Sequence, residues 1–507
     1  MLVWVDYVIF FLMLGFTIAL GIYFGFCGST KKTPSEYLLG NRAMTPIPIA
    51  MSLIATVISG IILVGVPTDV YKYGASFFWL LLAIPLFSVL SLYIYVPVFI
   101  KLESASVSQY LEIRFSRKIR ILASAMFTMK IILLNPIIVY ISSIALSFAT
   151  GLNNTLIATM TCVICIFYTT IGGFKAVVWT DTIQTISIYT CMLIVICLGI
   201  SPSGGFTSIW EKAVSNKRLD LFKSMLIFII GYVLIMAWVI FCGLEIYAYY
   251  AECDPISNKQ IKHYDQILPY FVQEITNNIP GLFGLFLAGV FSGTLSTLST
   301  TLNSLSAIIY NDFLSGFIPE HYSDQKRNLI LKVIVLIAGT ICISMVFIIE
   351  HLGGIIALTI SLSAIAGGPL LAVYTLGVVF PIANAKGAFY GAITGFMFSS
   401  WLVFGNQWYK LHGIIKEIPK PFLTDGCNST INMTHVLSAN IEEPFIMYRI
   451  SYWYYSLLGA IPVIVVGLVV SWLTYDKDVE ISPHLISPVF RFLLKKRKTQ
   501  VTSEHLL

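Results

Sequence analysis

The residues best placed for chemistry lie in one run, Ser292-Gly293-Thr294-Leu295-Ser296-Thr297-Leu298-Ser299-Thr300-Thr301, inside an apolar stretch from Ile279 to Tyr310. A stretch of that length can cross a bilayer as a helix. On a helix, spacings of three and four bring Gly293, Ser296, Thr297 and Thr300 to one side. That side offers neutral oxygens. With a backbone carbonyl freed by a nearby irregularity, it suits a small hard cation such as Na+. The same residues also read as a small-residue face for close helix packing, their hydroxyls bonded back to their own helix.

An irregularity of the required kind stands at Ala55-Thr56-Val57-Ile58-Ser59-Gly60, where Ser-Gly interrupts another apolar run. A helix broken there releases carbonyls near mid-depth, where they can face an ion; a tolerated packing face is the plainer reading. Asp181 is an acid inside the apolar run 174–199, placed either to balance a cation or to sit near the interface in water. Lys130, in the middle of the run 119–149, can attract an anion or snorkel to the surface.

The elements that must position these groups follow from composition. The 507 residues are 57% hydrophobic and 11% charged, with a mean hydropathy of +0.85. That excludes soluble globular and disordered classes. About twelve apolar runs are long enough to span a bilayer. They lie near 3–26, 44–66, 74–100, 119–149, 155–171, 174–199, 224–249, 279–310, 328–349, 354–380, 387–405 and 453–474. The expectation is an all-α multi-pass membrane protein, with a transmembrane domain over 1–475, an extracellular loop over 406–452 and a cytosolic tail over 476–507. The few charges are spread over many joins and form no nucleic-acid patch.

Basic residues orient the chain. Lys31, Lys32 and Arg42 follow the first run, Lys101, Arg114, Arg117, Lys118 and Arg120 precede the fourth, and Lys495 to Lys498 fill the tail. The positive-inside rule places the N-terminus outside and the tail in the cytosol. The glycosylation sequons at Asn153, Asn428 and Asn432 then fall outside. Cys253 and Cys427 fall there too, in an oxidising compartment where a disulfide between them can form. Cys162 and Cys165, within an apolar run, read as buried free thiols. An outside start and an inside end demand an odd number of crossings, against the even count above. The conflict is local: between Ile200 and Cys253 one apolar run does the work of two. No metalloprotease, P-loop or nucleophile-elbow motif is present, so neither an enzyme nor an organic cofactor is expected.

Several stretches resemble the sodium:solute symporters (solute carrier family 5), and among them the monocarboxylate, multivitamin and iodide branch. They are Gly65-Val66-Pro67-Thr68-Asp69-Val70-Tyr71-Lys72-Tyr73-Gly74, Tyr110-Leu111-Glu112-Ile113-Arg114-Phe115, the segment from Tyr168 to Asp181, the Ser292–Thr301 run with Asn303, and Gly367-Gly368-Pro369-Leu370-Leu371. The resemblance implies a LeuT-like core of two inverted five-helix repeats behind one extra N-terminal helix. It also implies a plasma-membrane location and Na+ as the coupling ion. The family's sodium site maps onto the carbonyls of Ala55, Ile58 and Gly293 and the hydroxyls of Ser296 and Thr297. Asp181 matches an intramembrane acid tied to a second sodium site or to gating, with Thr300 beside it. Where the family's sugar transporters carry polar substrate ligands, this chain has Val57, Ile62, about Leu81 and about Ile360. Apolar groups cannot hydrogen-bond a polyol, so a small organic anion is the expected partner. The substrate pocket is expected at mid-membrane, lined by Thr56, Ser59, Trp79, Lys130, Ser361 and Ser363. One departure stands out. Residues 219–223 run directly into a segment resembling the seventh core helix, so the sixth is expected to be missing, in the interval of the parity conflict.

The orientation is testable by antibody access and glycosidase digestion. The segment after Tyr475 should be reachable only in permeabilised cells, and Asn428 or Asn432 should carry glycan. A tail accessible on intact cells overturns the topology.

Overall fold

The computed structural model describes residues 3–26, 37, 46–74, 80–101, 107–200, 202, 205, 232–319, 321–349, 355–415, 444–475 and 482–493. These residues contain helices and no strand. In chain order the helices are α1 (Trp4–Phe26), α2 (Pro46–Val57), α3 (Val66–Tyr73), α4 (Leu80–Ile94), α5 (Val96–Lys101), α6 (Ser108–Arg114), α7 (Arg117–Thr150) and α8 (Asn154–Ile200). There follow α9 (Tyr232–Tyr249), α10 (Ile267–Ile275), α11 (Leu282–Ile308), α12 (Asp324–Ile349), α13 (Ile355–Val379), α14 (Ala385–Leu411) and α15 (Tyr455–Leu473). Among the described residues, 8 helices are long and apolar enough to cross a membrane. Helix is the form that closes all backbone hydrogen bonds within one segment where water is absent.

Two departures from straight helix shape the molecule. The run expected over 44–66 is broken: α2 ends at Val57, Ile58 and Ser59 are not helical, and a π-helical turn spans Ile61–Gly65 before α3. Proline explains the wide turn, because Pro67 has no N–H to return to Leu63 four residues earlier. The runs expected over 155–171 and 174–199 form α8 together, 47 residues interrupted at Gly173, where φ is 60° and ψ −160°. That backbone suits glycine. A Cβ at Gly173 would also lie 2.9 Å from the Tyr37 ring and 3.1 Å from the Tyr37 carbonyl oxygen.

The chain divides into two compact units. One comprises 1–85, 128–363 and 403–453; the other comprises 86–127, 364–402 and 454–507. In the first, α8 is the hub, packed by α1, α2, α9, α11 and α12. The N-terminal helix is fastened at its first turn. Asp6, 4% exposed, accepts a hydrogen bond from the Gly284 amide (3.0 Å) and another from the Val3 amide (2.9 Å). The first of these caps an otherwise unsatisfied N–H in the first turn of α11. The helices approach so closely that a Cβ on Gly284 would collide with the Asp6 backbone.

In the second unit, Arg114 at the end of α6 donates to the carbonyls of Gly377 (3.1 Å), Phe380 (3.1 Å) and Ala383 (3.0 Å). It thereby satisfies acceptors left open at the C-terminus of α13. Tyr110 donates to the Leu485 carbonyl (3.0 Å), and the Ser487 amide to that of Val378 (3.0 Å). So 482–493, within the tail expected from 476 onward, is folded, with Ile486 fully buried. Gly387, Gly391 and Gly395, four apart on α14, face Ser471, Gly467 and Val463 of α15 without room for side chains. This is the close packing that small residues permit in membranes.

Other expectations shift. The loop expected to begin at 406 starts later, because α14 continues to Leu411. Within that extension the Asn406 amide donates to the Tyr448 carbonyl (2.7 Å), an internal fastening. Of the run expected over 224–249, the described residues form α9; the sequence around 222–224, where the sixth core helix is expected to be missing, lies outside the described residues. So do Trp79, Cys427, Asn428 and Asn432.

The Asp6 fastening predicts that Asp6→Ala lowers the melting temperature of the detergent-solubilised protein, at a cost of about 1–3 kcal/mol for the buried, unsatisfied Gly284 donor it leaves. Gly284→Val should abolish monodisperse expression. An unchanged melting temperature for Asp6→Ala would remove the fastening role.

Candidate functional site

The broken segment and the hydroxyl run meet. Ala55 and Ile58 are both fully buried. The amides of Ile62 (3.0 Å) and Leu63 (3.2 Å) both bond to the Ser59 carbonyl, so the Ile58 carbonyl is passed over by the amide four residues on. Helix α11 lies directly against this point: a Cβ on Gly293 would sit 3.1 Å from the Ile58 oxygen and 3.4 Å from the Gly60 nitrogen. A side chain there would press the two backbones apart by a few tenths of an ångström. One turn further along α11, Thr297 donates to the carbonyls of Gly293 (2.9 Å) and Thr56 (3.2 Å). The Ser296 hydroxyl, fully buried, has no hydrogen-bond partner among the described residues.

Asp181 joins the same place from α8. It is fully buried; its Oδ2 accepts from the Ser52 hydroxyl of α2 (2.5 Å) and from Thr300 of α11 (3.2 Å). Ser296 of α11 stands beside this carboxylate. The other oxygen, Oδ1, has no partner among the described residues. Thr185, one turn on, donates to the Met51 carbonyl (3.0 Å) and clamps α8 to α2. Behind α11, Tyr168 donates to the Leu295 carbonyl (2.9 Å), and Thr301 donates to Asn135 of α7 (2.8 Å).

The hydroxyl run is thus divided in its duties. Ser299 bonds back to the Ser296 carbonyl of its own helix (3.0 Å), as the packing reading expects. Thr297 and Thr301 divide their hydroxyls between carbonyls of their own helix and partners on α2 and α7, while Ser296 and Thr300 lie toward the acid. Neutral hydroxyls, carbonyls and one carboxylate form a donor set suited to a small hard cation. The orphaned Ser296 hydroxyl and Asp181 Oδ1 are buried atoms that such an ion would satisfy.

The expected substrate-lining residues are less gathered. Thr56 spends its hydroxyl on the Ser52 carbonyl (2.7 Å), while Ser59 is buried at the break. Lys130 is half-buried on α7. Ser361 is fully buried on α13 with no hydrogen-bond partner among the described residues, and Ser363 is half-buried. The start of α13 does reach the π-helical turn, since a Cβ on Gly65 would lie 2.8 Å from Ile356. Asn153 is exposed at the start of α8. Cys253 is disulfide-bonded, its partner falling outside the described residues, whereas Cys162 and Cys165 are free and buried.

Sequence reasoning missed the parts played by Ser52 and Tyr168. Ser52 stands three residues before Ala55, which is a periodicity signal, and Tyr168 opens the Tyr168–Asp181 stretch. It also missed Glu245, fully buried on α9, which an all-round apolar run conceals.

The family model described as the sodium:solute symporter family matches residues 37–223 and 215–395. The chain is 33% identical to sodium-coupled monocarboxylate transporter 2 of Homo sapiens over 98% of its own length and 89% of that protein. It is 32% identical to a putative sodium-dependent multivitamin transporter of Drosophila melanogaster, over 92% of this chain and 86% of that one. A solved structure of a Na+-coupled sialic acid symporter, in a substrate-bound outward-open state, matches with a TM-score of 0.70 at 20% identity. That likeness covers 93% of this chain and 98% of the other. It shows the fold, a LeuT-like helical membrane architecture.

Proposed function

Because the chain belongs to the sodium:solute symporter family, we propose that it is a plasma-membrane symporter that uses downhill Na+ entry to accumulate a small organic anion. The meeting of the broken α2 with the α11 hydroxyls carries this reading. The carbonyls of Ala55, Ile58 and Gly293 and the hydroxyls of Ser296 and Thr297 hold one Na+. Asp181, with Thr300, holds a second or gates the first. When Na+ arrives, Thr297 turns its hydroxyl oxygen toward the ion, and α2 is drawn against α11. Substrate then completes closure over the paired helices.

The energetics favour two ions. A tenfold sodium gradient is worth about 1.4 kcal/mol, and a membrane potential contributes about 2.3 kcal/mol per charge per 100 mV. One Na+ moving with one monovalent anion carries no net charge and forfeits the electrical contribution. A second ion recovers it, which gives the buried Asp181 a purpose beyond packing. The substrates this lining suits are short monocarboxylates or a vitamin carboxylate such as biotin or pantothenate; iodide is the inorganic alternative. Bound Na+ and Lys130 supply the positive potential, and Thr56, Ser59, Trp79, Ser361 and Ser363 supply hydroxyl and aromatic surface. Asn153, Asn428 and Asn432 carry glycan outside, and Cys427 is the partner of Cys253.

Uptake by cells expressing the full chain tests this, with labelled lactate, biotin, pantothenate and iodide set against glucose and myo-inositol, in sodium or choline medium. Sodium-dependent uptake of an anion is expected. Replacing Ser296 and Thr297 together by Ala should raise the half-saturating sodium concentration about tenfold, the equivalent of 1.4 kcal/mol. Unchanged sodium dependence sinks the ion site, and uptake of sugars alone sinks the substrate class.

A second reading has its own observation. The family match comes in two pieces that meet at 215–223, and the alignment to the human relative runs over 551 residues against the 507 of this chain. Both fall in with a missing sixth core helix between Ile200 and Cys253, and favour a non-transporting regulator or an incomplete isoform. Sequencing the transcript between Ile200 and Ser224 decides. An intervening exon encoding about 35–45 residues, one span with its flanks, restores the transporter; continuous sequence favours the regulator.

A further inference from the structure

The segment from Ser482 to Leu493 is gripped at its middle and open along its outside. Ile486 and Ser487 are fully buried. The Leu485 carbonyl receives Tyr110 of α6 (3.0 Å), and the Ser487 amide donates to the Val378 carbonyl of α13 (3.0 Å). Arg491 closes the segment on itself, its Nε donating to the Pro483 carbonyl (3.0 Å). With the backbone fixed in this way, Val489, Phe492 and Leu493 stand exposed, Phe492 to 77%. A folded segment that turns such side chains outward together offers an apolar surface to something else.

Its surroundings say to what. The ends of membrane helices gather here. Arg114 collects carbonyls at the end of α13, α7 begins at Arg117, and Asn384, just before α14, donates to the Thr474 carbonyl just past α15 (3.0 Å). The Ser487 hydroxyl lies 3.5 Å from the Tyr93 carbonyl of α4. That helix is apolar all round, and its Leu86, Phe87, Leu90 and Tyr93 are exposed, as on a helix that meets lipid. The exposed side chains of 489–493 therefore continue an apolar face at the point where the membrane helices stop. Charge agrees. No acidic residue occurs from Ser482 to Lys498, and the run Lys495-Lys496-Arg497-Lys498 begins two residues after Leu493; the acids Asp476, Asp478 and Glu480 all precede the segment. Arg117 and Lys118 are exposed at the start of α7.

We propose that 482–498 is an interfacial anchor whose partner is a bilayer surface rich in acidic phospholipid. Val489, Phe492 and Leu493 enter the boundary between headgroups and acyl chains, and Lys495 to Lys498 hold the anionic headgroups. Either signal alone binds a membrane weakly, and the two together bind it firmly. The anchor does not depend on which solute the chain carries, and it stands even in a chain that carries none.

Hydrogen exchange on the full-length protein tests this, in nanodiscs holding one chain each and made of phosphatidylcholine with or without phosphatidylserine. Phosphatidylserine should slow exchange over 488–493 about tenfold, and about 0.5 M salt should reverse most of that slowing. Replacing Lys495, Lys496, Arg497 and Lys498 together by Gln should abolish the difference between the lipids, and so should Phe492→Ser with Leu493→Ser. These side chains lie outside the gripped middle, so protection of the Ser487 amide should persist and show that the segment is still folded. Phe492→Trp, which keeps the apolar surface, should keep the lipid difference and gain emission that brominated acyl chains quench. Equal exchange in both lipids overturns the proposal, as does slowing that survives the Gln replacement. Slowing seen only in discs holding two chains would make this face a contact between copies. Slowing by inorganic phosphate in detergent would make it a site for a free anion. Either result overturns the lipid anchor.

Discussion

A helix interrupted at mid-membrane depth must have its carbonyls met by something other than lipid, because hydrocarbon offers no hydrogen bond. The break at Ile58–Ser59 is met by the backbone of α11 at Gly293, and much of the first unit is arranged to keep the two together. Asp181 reaches both from α8, through Ser52 on one side and Thr300 on the other. Thr185 and Thr297 add one further bond each across the same wedge. Three helices are thereby held by short polar contacts in a place where apolar packing alone would not specify their register.

The break itself was legible, since Ser59-Gly60 in an apolar run is a poor fit to an uninterrupted membrane helix, and so was the division of α8, since Gly172-Gly173 separates its two runs. Asp181 was legible as an acid at depth, and Gly293, Ser296, Thr297 and Thr300 as one face by their spacing. Less visible were residues whose duty depends on a partner far along the chain. Ser52 looks like filler until α8 places Asp181 beside it, and Asp6 looks like a polar terminus until α11 supplies the Gly284 amide. Asn406, at the first position of the expected loop, instead ties its helix to Tyr448.

The stretches that carry the family resemblance do not all serve one purpose. Tyr110 to Phe115 builds a clamp: Arg114 gathers carbonyls at the end of α13 and Tyr110 holds the Leu485 carbonyl. An arginine with several carbonyl acceptors satisfies a helix terminus that would otherwise be left open under the folded 482–493 segment. The Ser292–Thr301 run, in contrast, mixes both duties within three turns, with Ser299 turned back on its own helix, Thr301 also reaching Asn135, and Ser296 left open. Family motifs here record constraint, and only the contacts separate constraint on shape from constraint on an ion.

The seam between Asp6 and Gly284 has a mechanical meaning. With a carboxylate receiving the α11 amide and two backbones too close for a Cβ, α1 and α11 form a single strut at that end. Tension applied at the N-terminus, by a tether or a bulky fusion, would be transmitted along α1 directly into the helix whose hydroxyls face the break. A probe attached there would report the movement of that strut rather than that of a loose leading segment.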